Sequence, residues 1–349
     1  MLPAPNATLS PVIASLKRFG PAAVAVAVVV GVFGLVLPKI ASYRDVVDVF
    51  SELTGWEIAA LALATVWNVV TFAPPWRAAM PGIGLWHALV MTQASTAAAS
   101  VFPGGEAVGL GLVFGMLRAW GFRRGAIVAA AAVVTTLNAL MKVVLPVAAV
   151  AGLLVTGRQG GLLGLLTLIA VGVIGGIVGA SVVALRTDES TRALGARLDR
   201  WRSRVPLRRL GGGDPIPERL SRFRRETIGL LRRRWFQLVT WTLIGHLAVF
   251  VVLLVTLRAV GVTGGEVDVV EAFAAWALTR LLTAIPITPS GLGIIELGLT
   301  GALVAAGGDS ERVVAAVLLY RMLTWLPPIV LGVPAVLLWR RLHPLERPR

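Results

Sequence analysis

Several chemistries are missing from this chain of 349 residues. It contains no cysteine, which excludes disulfides, a thiolate nucleophile and cysteine-ligated zinc or iron–sulfur centres. Its three histidines, His87, His246 and His343, are widely spaced and belong to no metal-binding motif. No segment reads GxxxxGK[ST], so the chain has no P-loop for ATP. The sequence therefore predicts neither a metal site nor a cofactor.

Charge is also scarce, whereas apolar residues are abundant. Charged residues make up 15% of the chain and hydrophobic residues 56%. With the 38 glycines the apolar share rises to about two thirds, against about 45–50% in soluble domains. A single soluble core stops growing near about 250–300 residues, so a soluble chain could not bury this much apolar surface. The composition predicts a membrane protein.

Long apolar segments give the predicted number of spans. A helix of about 18 or more apolar residues can cross a hydrocarbon layer of about 30 Å. Two further regions, 84–120 and 266–306, are too long for one span, and each is interrupted by a proline-glycine cluster. We expect an all-α polytopic membrane protein with six full spans and two broken, re-entrant hairpins. The six spans are 19–40, 56–73, 126–155, 161–185, 235–257 and 311–339.

Arginine placement predicts the orientation. The segment 186–234 holds 15 arginines and 6 acidic residues, and basic loops lie on the cytoplasmic side. We therefore place both termini inside and expect this loop to attract anionic lipid headgroups through two short interfacial helices. Nucleic-acid binding is the alternative for such arginine runs, but topology explains them without a nucleic-acid partner. The whole of 1–349 is predicted to form one membrane domain.

An internal repeat indicates where function is to be sought. At a constant offset of 186, residues 103–150 align with 289–336 without a gap and are identical at 16 of 48 positions. Repeat 1 covers about 56–155 and repeat 2 about 235–341, and the span 161–185 between them inverts the second. Inverted repeats are typical of transporters, which bind substrate between the repeats and rock one against the other. Chance similarity between two apolar segments is the alternative.

The two proline-glycine clusters interrupt the hairpins of these repeats. Proline removes a backbone donor and glycine permits a sharp turn, so each cluster would end one helix and begin another. Backbone broken at membrane depth must be buried or line a wet cavity, where new helix N-termini suit an anionic group such as phosphate. Ordinary surface turns are the alternative. The clusters supply Pro103, Gly104, Gly105 and Glu106 in the first half, and Pro289, Ser290, Gly291 and Gly293 in the second.

Three charged residues interrupt apolar stretches of the second half: Arg280, Glu296 and Arg321. Intramembrane charge is costly, so such residues are functional candidates by default. Two arginines flanking a carboxylate would grip a lipid phosphate, because guanidinium matches phosphate in a forked geometry. A salt bridge that only pins the hairpin is the alternative. In the first half Glu106, Asn138 and Lys142 are weaker analogues.

Several motifs of the two halves form a recognisable signature. They are Thr288-Pro289-Ser290-Gly291-Leu292-Gly293-Ile294-Ile295-Glu296, Gly307, Tyr320-Arg321 and Pro327-Pro328, with Pro103-Gly104-Gly105 and Met116-Leu117-Arg118-Ala119-Trp120-Gly121 in the first half. These motifs resemble the signature of the flippase-like integral membrane family that includes the transmembrane region of lysylphosphatidylglycerol synthases. The resemblance implies a bacterial inner-membrane protein that moves a lipid between leaflets. An aminoacyltransferase domain is not expected after residue 340, and Gly109 stands where many members carry an arginine.

Three functions remain open on the sequence. The first is a lipid flippase or scramblase for an anionic phospholipid or a polyprenyl-phosphate-linked lipid, without enzymatic activity. The second is a membrane glycosyltransferase that uses a polyprenyl-phosphate sugar, with Asp45 or Asp48 as an outward-facing base. The third is a passive, non-catalytic membrane partner of an envelope enzyme. Association of the chain into a homo-oligomer is also left open.

Overall fold

The computed structural model of the chain describes residues 51–101, 105–156, 216–284 and 291–339, and the single positions 48, 172, 176 and 179. Within these ranges every regular element is a helix. The predicted span 19–40 and most of the span 161–185 lie outside the described residues. So do four predicted site residues of the proline-glycine clusters, Pro103, Gly104, Pro289 and Ser290.

Nine α-helices and one 3₁₀ helix make up the described ranges. Four helical segments are long and apolar enough to cross a membrane, and they coincide with four of the six predicted spans: Gly55–Ala79, Arg124–Val155, Leu220–Ala259 and Ser310–Val336. A multi-pass membrane protein is thereby confirmed. In chain order the helices are α1 (Gly55–Thr71), α2 (Ala73–Ala79), α3 (Leu85–Val101), α4 (Gly105–Ala119), α5 (Arg124–Val155), α6 (Ile216–Ala259), α7 (Val269–Thr279), the 3₁₀ helix (Arg280–Ala284), α8 (Ile294–Ala305) and α9 (Ser310–Leu338).

Short polar sequences start several of these helices. Before α1, Glu57 accepts the backbone amide of Thr54 at 2.7 Å, and the Thr54 hydroxyl accepts the amide of Glu57 at 3.4 Å. Asp268 and Glu271 form the same reciprocal pair at the start of α7, at 2.8 and 2.9 Å. These caps satisfy amides that lack a partner in the first helical turn. These acidic residues therefore fix the starts of α1 and α7.

The basic segment departs from its predicted form. Helix α6 contains 44 residues and runs from Ile216 to Ala259 without a break. The prediction of two short interfacial helices ahead of a span at 235 is thus wrong from residue 216 onward. Its 216–234 part is rich in arginine, a good helix former that can extend a spanning helix beyond the bilayer. The other half of the predicted loop, 186–215, lies outside the described residues.

Both predicted hairpins are interrupted where the proline-glycine clusters stand. The first consists of α3 and α4, which end and begin at Val101 and Gly105. The second consists of α7 with its 3₁₀ extension, followed by α8 from Ile294. Gly291 and Gly293 precede α8 with φ of 68° and 85°. Residues that carry a side chain rarely adopt this left-handed backbone conformation, which explains why both positions are glycine.

The turns that follow the two hairpins match position for position. Helices α4 and α8 end at Ala119 and Ala305, and α5 and α9 begin at Arg124 and Ser310, so both pairs keep the offset of the repeat. Gly121 and Gly307, another pair at this offset, have φ of 88° and 113°. Each turn is closed by the same pair of backbone hydrogen bonds. These are Gly121 N to Arg118 O and Phe122 N to Leu117 O, then Gly307 N to Val304 O and Gly308 N to Leu303 O, all between 3.0 and 3.1 Å.

The described residues form two compact units. The first takes its described residues from 51–69, 92–101, 105–112, 248–284 and 291–337. Within it α3 is held closely on two sides. A Cβ at Gly109 of α4 would lie 2.6 Å from the Ser95 carbonyl oxygen, and one at Gly332 of α9 would lie 2.5 Å from the Gln93 carbonyl oxygen. Small residues at these crossings let the backbones approach, as in many membrane helix pairs.

The second unit takes its described residues from 70–91, 113–156 and 216–247, with Leu338 and Trp339. Buried Met116, Leu117 and Ile127 belong to its apolar core. The base of α6 contacts the start of α5, because a Cβ at Gly125 would lie 2.5 Å from a carboxylate oxygen of Glu226. A carboxylate beside a helix N-terminus is favourable, since that end carries partial positive charge.

Candidate functional site

Glu296 lies at the centre of the predicted charge cluster and is fully buried, with a side chain 0% exposed. Helix α8 begins at Ile294, so Glu296 is its third residue and lies in the first turn. Its Oε2 accepts the backbone amide of Gly293 at 2.6 Å. The carboxylate therefore caps α8 directly after the glycine turn, which places it in the part of a helix that favours negative charge.

Arg321 neutralises this carboxylate from α9. Its Nε donates to Glu296 Oε1 at 2.6 Å, so both carboxylate oxygens are engaged. The Arg321 side chain remains 14% exposed, whereas that of Glu296 is 0% exposed. The cation is thus the accessible member of the pair, and the carboxylate serves to position it. A ligand that approaches this pair would contact the guanidinium of Arg321 and not the buried carboxylate of Glu296.

Arg280 lies close by at the start of the 3₁₀ helix. Its Cζ lies 4.9 Å from the centroid of the Trp276 ring, a distance at which the aromatic face attracts a cation. The Trp276 indole donates to the Tyr320 hydroxyl at 3.2 Å. Arg280 also interacts electrostatically with Tyr320 and Arg321. The structure therefore brings Arg280, Glu296 and Arg321 together, as the sequence predicted.

Aromatic packing holds the Arg280 side of the site in place. The Trp276 ring centroid lies 5.5 Å from that of Phe250 on α6 and 5.7 Å from that of Phe273 on α7. Trp276 is 1% exposed and Tyr320 is 5% exposed. Buried aromatic clusters of this kind lock their members in single orientations. The ring beneath Arg280 is therefore a rigid support.

Two of the charged residues lie at a similar distance from the same end of the first unit. The α8–α9 turn contacts the segment before α7, since a Cβ at Gly307 would lie 3.1 Å from the Glu266 carbonyl oxygen. Arg280 lies about three helical turns after Val269, where α7 begins. Arg321 lies about three turns after Ser310, where α9 begins. At about 5.4 Å per turn this is about 16 Å, roughly half of a hydrocarbon layer of about 30 Å.

The matching positions of the first half carry no charged residues. Counting back from Arg280, Glu296 and Arg321 by the offset of the repeat gives Ala94, Leu110 and Thr135. Glu106 is exposed in the first turn of α4, away from the charge cluster in sequence and without an arginine at the matching place. Gly105 packs against the Ala98 carbonyl oxygen, where a Cβ would lie at 2.8 Å. The three charged residues of the cluster therefore all come from the second half of the chain.

A second polar contact joins two spans of the second unit. His246 of α6 is buried, and its Nε2 lies 3.1 Å from Asn138 Oδ1 of α5. Asn138 donates its own amide to the Val134 carbonyl at 2.8 Å, so its Oδ1 is the acceptor and His246 Nε2 carries the proton. This is an interhelical hydrogen bond, a contact that polar side chains often make between membrane helices.

Two residues of the site were missed by reasoning from the sequence alone. Trp276 was counted only as part of an apolar stretch, although it carries Arg280 on its face. Tyr320 was recognised only as a neighbour of Arg321, although it accepts the Trp276 indole. The available signal was spacing, because Trp276 precedes Arg280 by one helical turn and shares its face.

Comparison with known proteins agrees with this architecture. None of the curated proteins compared with the chain matches it. A family model described as lysylphosphatidylglycerol synthase TM region matches residues 10–332, which include every described helix up to the later part of α9. The chain therefore belongs to the family of the lysylphosphatidylglycerol synthase transmembrane region.

Proposed function

We propose that the protein moves a lipid with a phosphate headgroup between the two leaflets of a bacterial cytoplasmic membrane. The observation that carries this proposal is the buried Glu296 bound to a partly exposed Arg321, at 2.6 Å, in a membrane domain. Both oxygens of the Glu296 carboxylate already accept a hydrogen bond, one from Gly293 and one from Arg321. The accessible charge is therefore cationic and suits an anionic headgroup.

The charge balance of the cluster favours the same class of substrate. Arg280 and Arg321 contribute two positive charges and Glu296 one negative charge, so the cluster has a net charge of +1. A phosphodiester brings one negative charge and would neutralise it, because guanidinium binds phosphate oxygens in pairs. The acyl or prenyl chains would stay in the bilayer while the headgroup occupies the cluster.

We further propose that the chain is an inverted repeat with two re-entrant hairpins. The matching helix ends and the two identical glycine turns, which keep one constant offset, support the repeat. The interruption of both hairpins at the proline-glycine clusters supports re-entrant halves rather than two ordinary spans. In such transporters the substrate site lies near the midplane of the membrane. The distance of about 16 Å from the starts of α7 and α9 to the charge cluster agrees with that depth.

The basic extension of α6 is proposed to bind anionic lipid headgroups at the cytoplasmic surface. Arg222, Arg225, Arg232 and Arg233 are exposed along it. Trp235 and Phe236, 58% and 66% exposed, follow where the apolar part begins. Aromatic residues favour the membrane interface, and arginines near it attract anionic lipids.

Reconstitution tests the proposed transport. The purified chain is placed in liposomes that carry fluorescent phosphatidylglycerol, phosphatidylethanolamine or a polyprenyl phosphate, and leaflet exchange is followed by chemical quenching of the outer leaflet. We expect faster exchange of the anionic lipids than in protein-free liposomes. Arg321→Ala should slow it by about tenfold or more, because a hydrogen bond to a charged group contributes about 1.5–3 kcal/mol.

Arg312→Ala is the matched control for this substitution. It removes an arginine from the same helix, where the side chain contacts the Gly261 carbonyl at 3.3 Å near the α8–α9 turn. This variant should exchange lipid at the wild-type rate. No acceleration for any anionic lipid by the wild-type protein would refute the proposed function, and equal losses in both variants would refute the role of Arg321.

A further inference from the structure

Two buried polar atoms, each one helical turn after a member of the Glu296–Arg321 pair, have no hydrogen-bonding partner among the described residues. One is the hydroxyl of Thr300, one helical turn after Glu296 on α8, in a residue 1% exposed. The other is the indole Nε1 of Trp325, one turn after Arg321 on α9. Buried donors in folded proteins are nearly always bonded, so each of these atoms needs an explanation.

The indole of Trp325 differs from that of Trp276 in its hydrogen bonding. The Trp276 indole already donates to Tyr320 at 3.2 Å, whereas the Trp325 indole N–H is buried and donates to no described atom. An unbonded buried donor costs free energy, because the water it held in the unfolded chain is not replaced. The cost is recovered when a ligand brings an acceptor.

Helix geometry places this donor beside Arg321. Residues four apart share one face of a helix, about 5–6 Å apart between Cβ atoms. Helical side chains lean toward the N-terminus of their helix, so the surface covered by Trp325 belongs to the turn that carries Arg321. A phosphate held by the partly exposed Arg321 would therefore lie within reach of the indole.

We propose that the indole N–H of Trp325 binds an anionic oxygen of the same lipid phosphate that Arg321 holds. This inference rests on the proposed function and adds a residue that fixes the headgroup. An indole is a donor only, so it accepts no hydrogen bond from an ammonium or hydroxyl group. Trp325 would thus favour phosphate oxygens that point away from any ammonium of the headgroup.

The test compares two Trp→Phe variants of the full chain in detergent. Thermal unfolding is measured without ligand, with short-chain phosphatidylglycerol and with inorganic phosphate. Without lipid, Trp325→Phe should unfold at or above the wild-type temperature, because it removes a donor that has no acceptor. Trp276→Phe should unfold below it, because it breaks the bond to Tyr320. This comparison does not depend on transport.

With lipid, the wild-type protein should be stabilised increasingly as the ligand concentration rises. Trp325→Phe should bind phosphatidylglycerol about tenfold more weakly, as expected for loss of one bond to a charged acceptor. Trp325→His, which keeps a ring N–H, should recover part of the affinity. Inorganic phosphate at equal concentration should stabilise neither protein as much as the lipid does.

Each other outcome has a defined meaning. A lower unfolding temperature of lipid-free Trp325→Phe would show that the N–H is bonded within the protein and would overturn the inference. Unchanged lipid affinity of Trp325→Phe, in a protein that loses lipid binding on Arg321→Ala, would overturn it while leaving the proposed function intact. Equal stabilisation by inorganic phosphate would reject a lipid ligand. No lipid binding by the wild-type protein would reject both.

Discussion

At the scale of single residues, the position of Glu296 explains why a carboxylate is tolerated within an apolar chain. It is fully buried, yet Gly293 and Arg321 each donate to one of its oxygens at 2.6 Å. The N-terminus of α8 adds favourable electrostatics. Three sources of stabilisation thus meet at a residue whose isolated burial would cost several kcal/mol. The salt bridge can hold the hairpin in place and still leave Arg321 able to bind a ligand, because the Arg321 side chain stays partly exposed.

A double-mutant cycle tests the coupling of Glu296 and Arg321. Glu296→Gln and Arg321→Gln should each reduce the free energy of unfolding by about 3 kcal/mol, since each leaves a buried charge or a cation without its partner. The double variant should lose less than the sum of the two, by about 1 kcal/mol or more. Unfolding by denaturant in detergent measures all four proteins. Additive losses would show that the two side chains do not depend on each other.

At the residue scale, the sequence singled out the charged residues of the cluster, whose binding role stays a prediction, but it did not single out the aromatic residues around them. Arg280, Glu296 and Arg321 stand out because charge is rare in spans, and all three meet in the structure. Trp276 and Trp325 do not stand out, since tryptophan is common in membrane proteins and its role depends on whether its N–H is bonded. Hydrogen-bond satisfaction is a property of the packed chain, which a sequence pattern does not contain.

At the scale of elements, the α3–α4 hairpin depends on two glycines that face α3. A Cβ at Gly109 would lie 2.6 Å from the Ser95 carbonyl oxygen, and one at Gly105 would lie 2.8 Å from that of Ala98. Both neighbours are backbone atoms, which cannot move aside as a flexible side chain can. Gly111 and Gly115 lie on the same helix with open space around the Cβ position. Two sets of glycines, with the same spacing of four, therefore have different roles.

Substitution by alanine separates these roles. Gly109→Ala should reduce the free energy of unfolding by about 1–3 kcal/mol, because the added methyl forces α3 and α4 apart. Gly111→Ala is the control on the same helix and should leave stability unchanged or slightly higher, since alanine is the better helix former. Thermal unfolding of the purified proteins distinguishes them. Equal behaviour of the two variants would mean that the hairpin does not pack closely at Gly109.

Element prediction was sound where hydrophobicity sets the boundary and failed where it does not. Four spans and both hairpin interruptions coincide with apolar runs and proline-glycine clusters. The base of α6 was mistaken for a separate interfacial helix because arginines replace apolar residues at 232–234. Helix formation does not require apolar residues, so the backbone continues through the change in composition. Glu226 supports this continuation through its contact with Gly125 of α5.

At the scale of the whole molecule, the two halves proposed to be repeats match in the turn that follows each hairpin and differ in their charged residues. The glycine turns at 121 and 307 close with the same hydrogen bonds. The partners of Arg280, Glu296 and Arg321 in the first half are Ala94, Leu110 and Thr135. If the two halves are repeats, as proposed, they share the ends of their helices while the second half alone carries the charged cluster proposed to bind the headgroup.

Cysteine labelling tests the proposed inversion, because the chain contains no cysteine of its own. Arg123 and Asp309 occupy matching positions, directly before α5 and α9, and both are exposed. Inverted repeats place matching positions on opposite sides of the membrane. In intact cells a membrane-impermeant maleimide should label Asp309→Cys, whereas Arg123→Cys should be labelled only after the membrane is opened. Labelling of both variants from the same side would show parallel repeats, and with them the midplane location proposed for the charge cluster would lose its support.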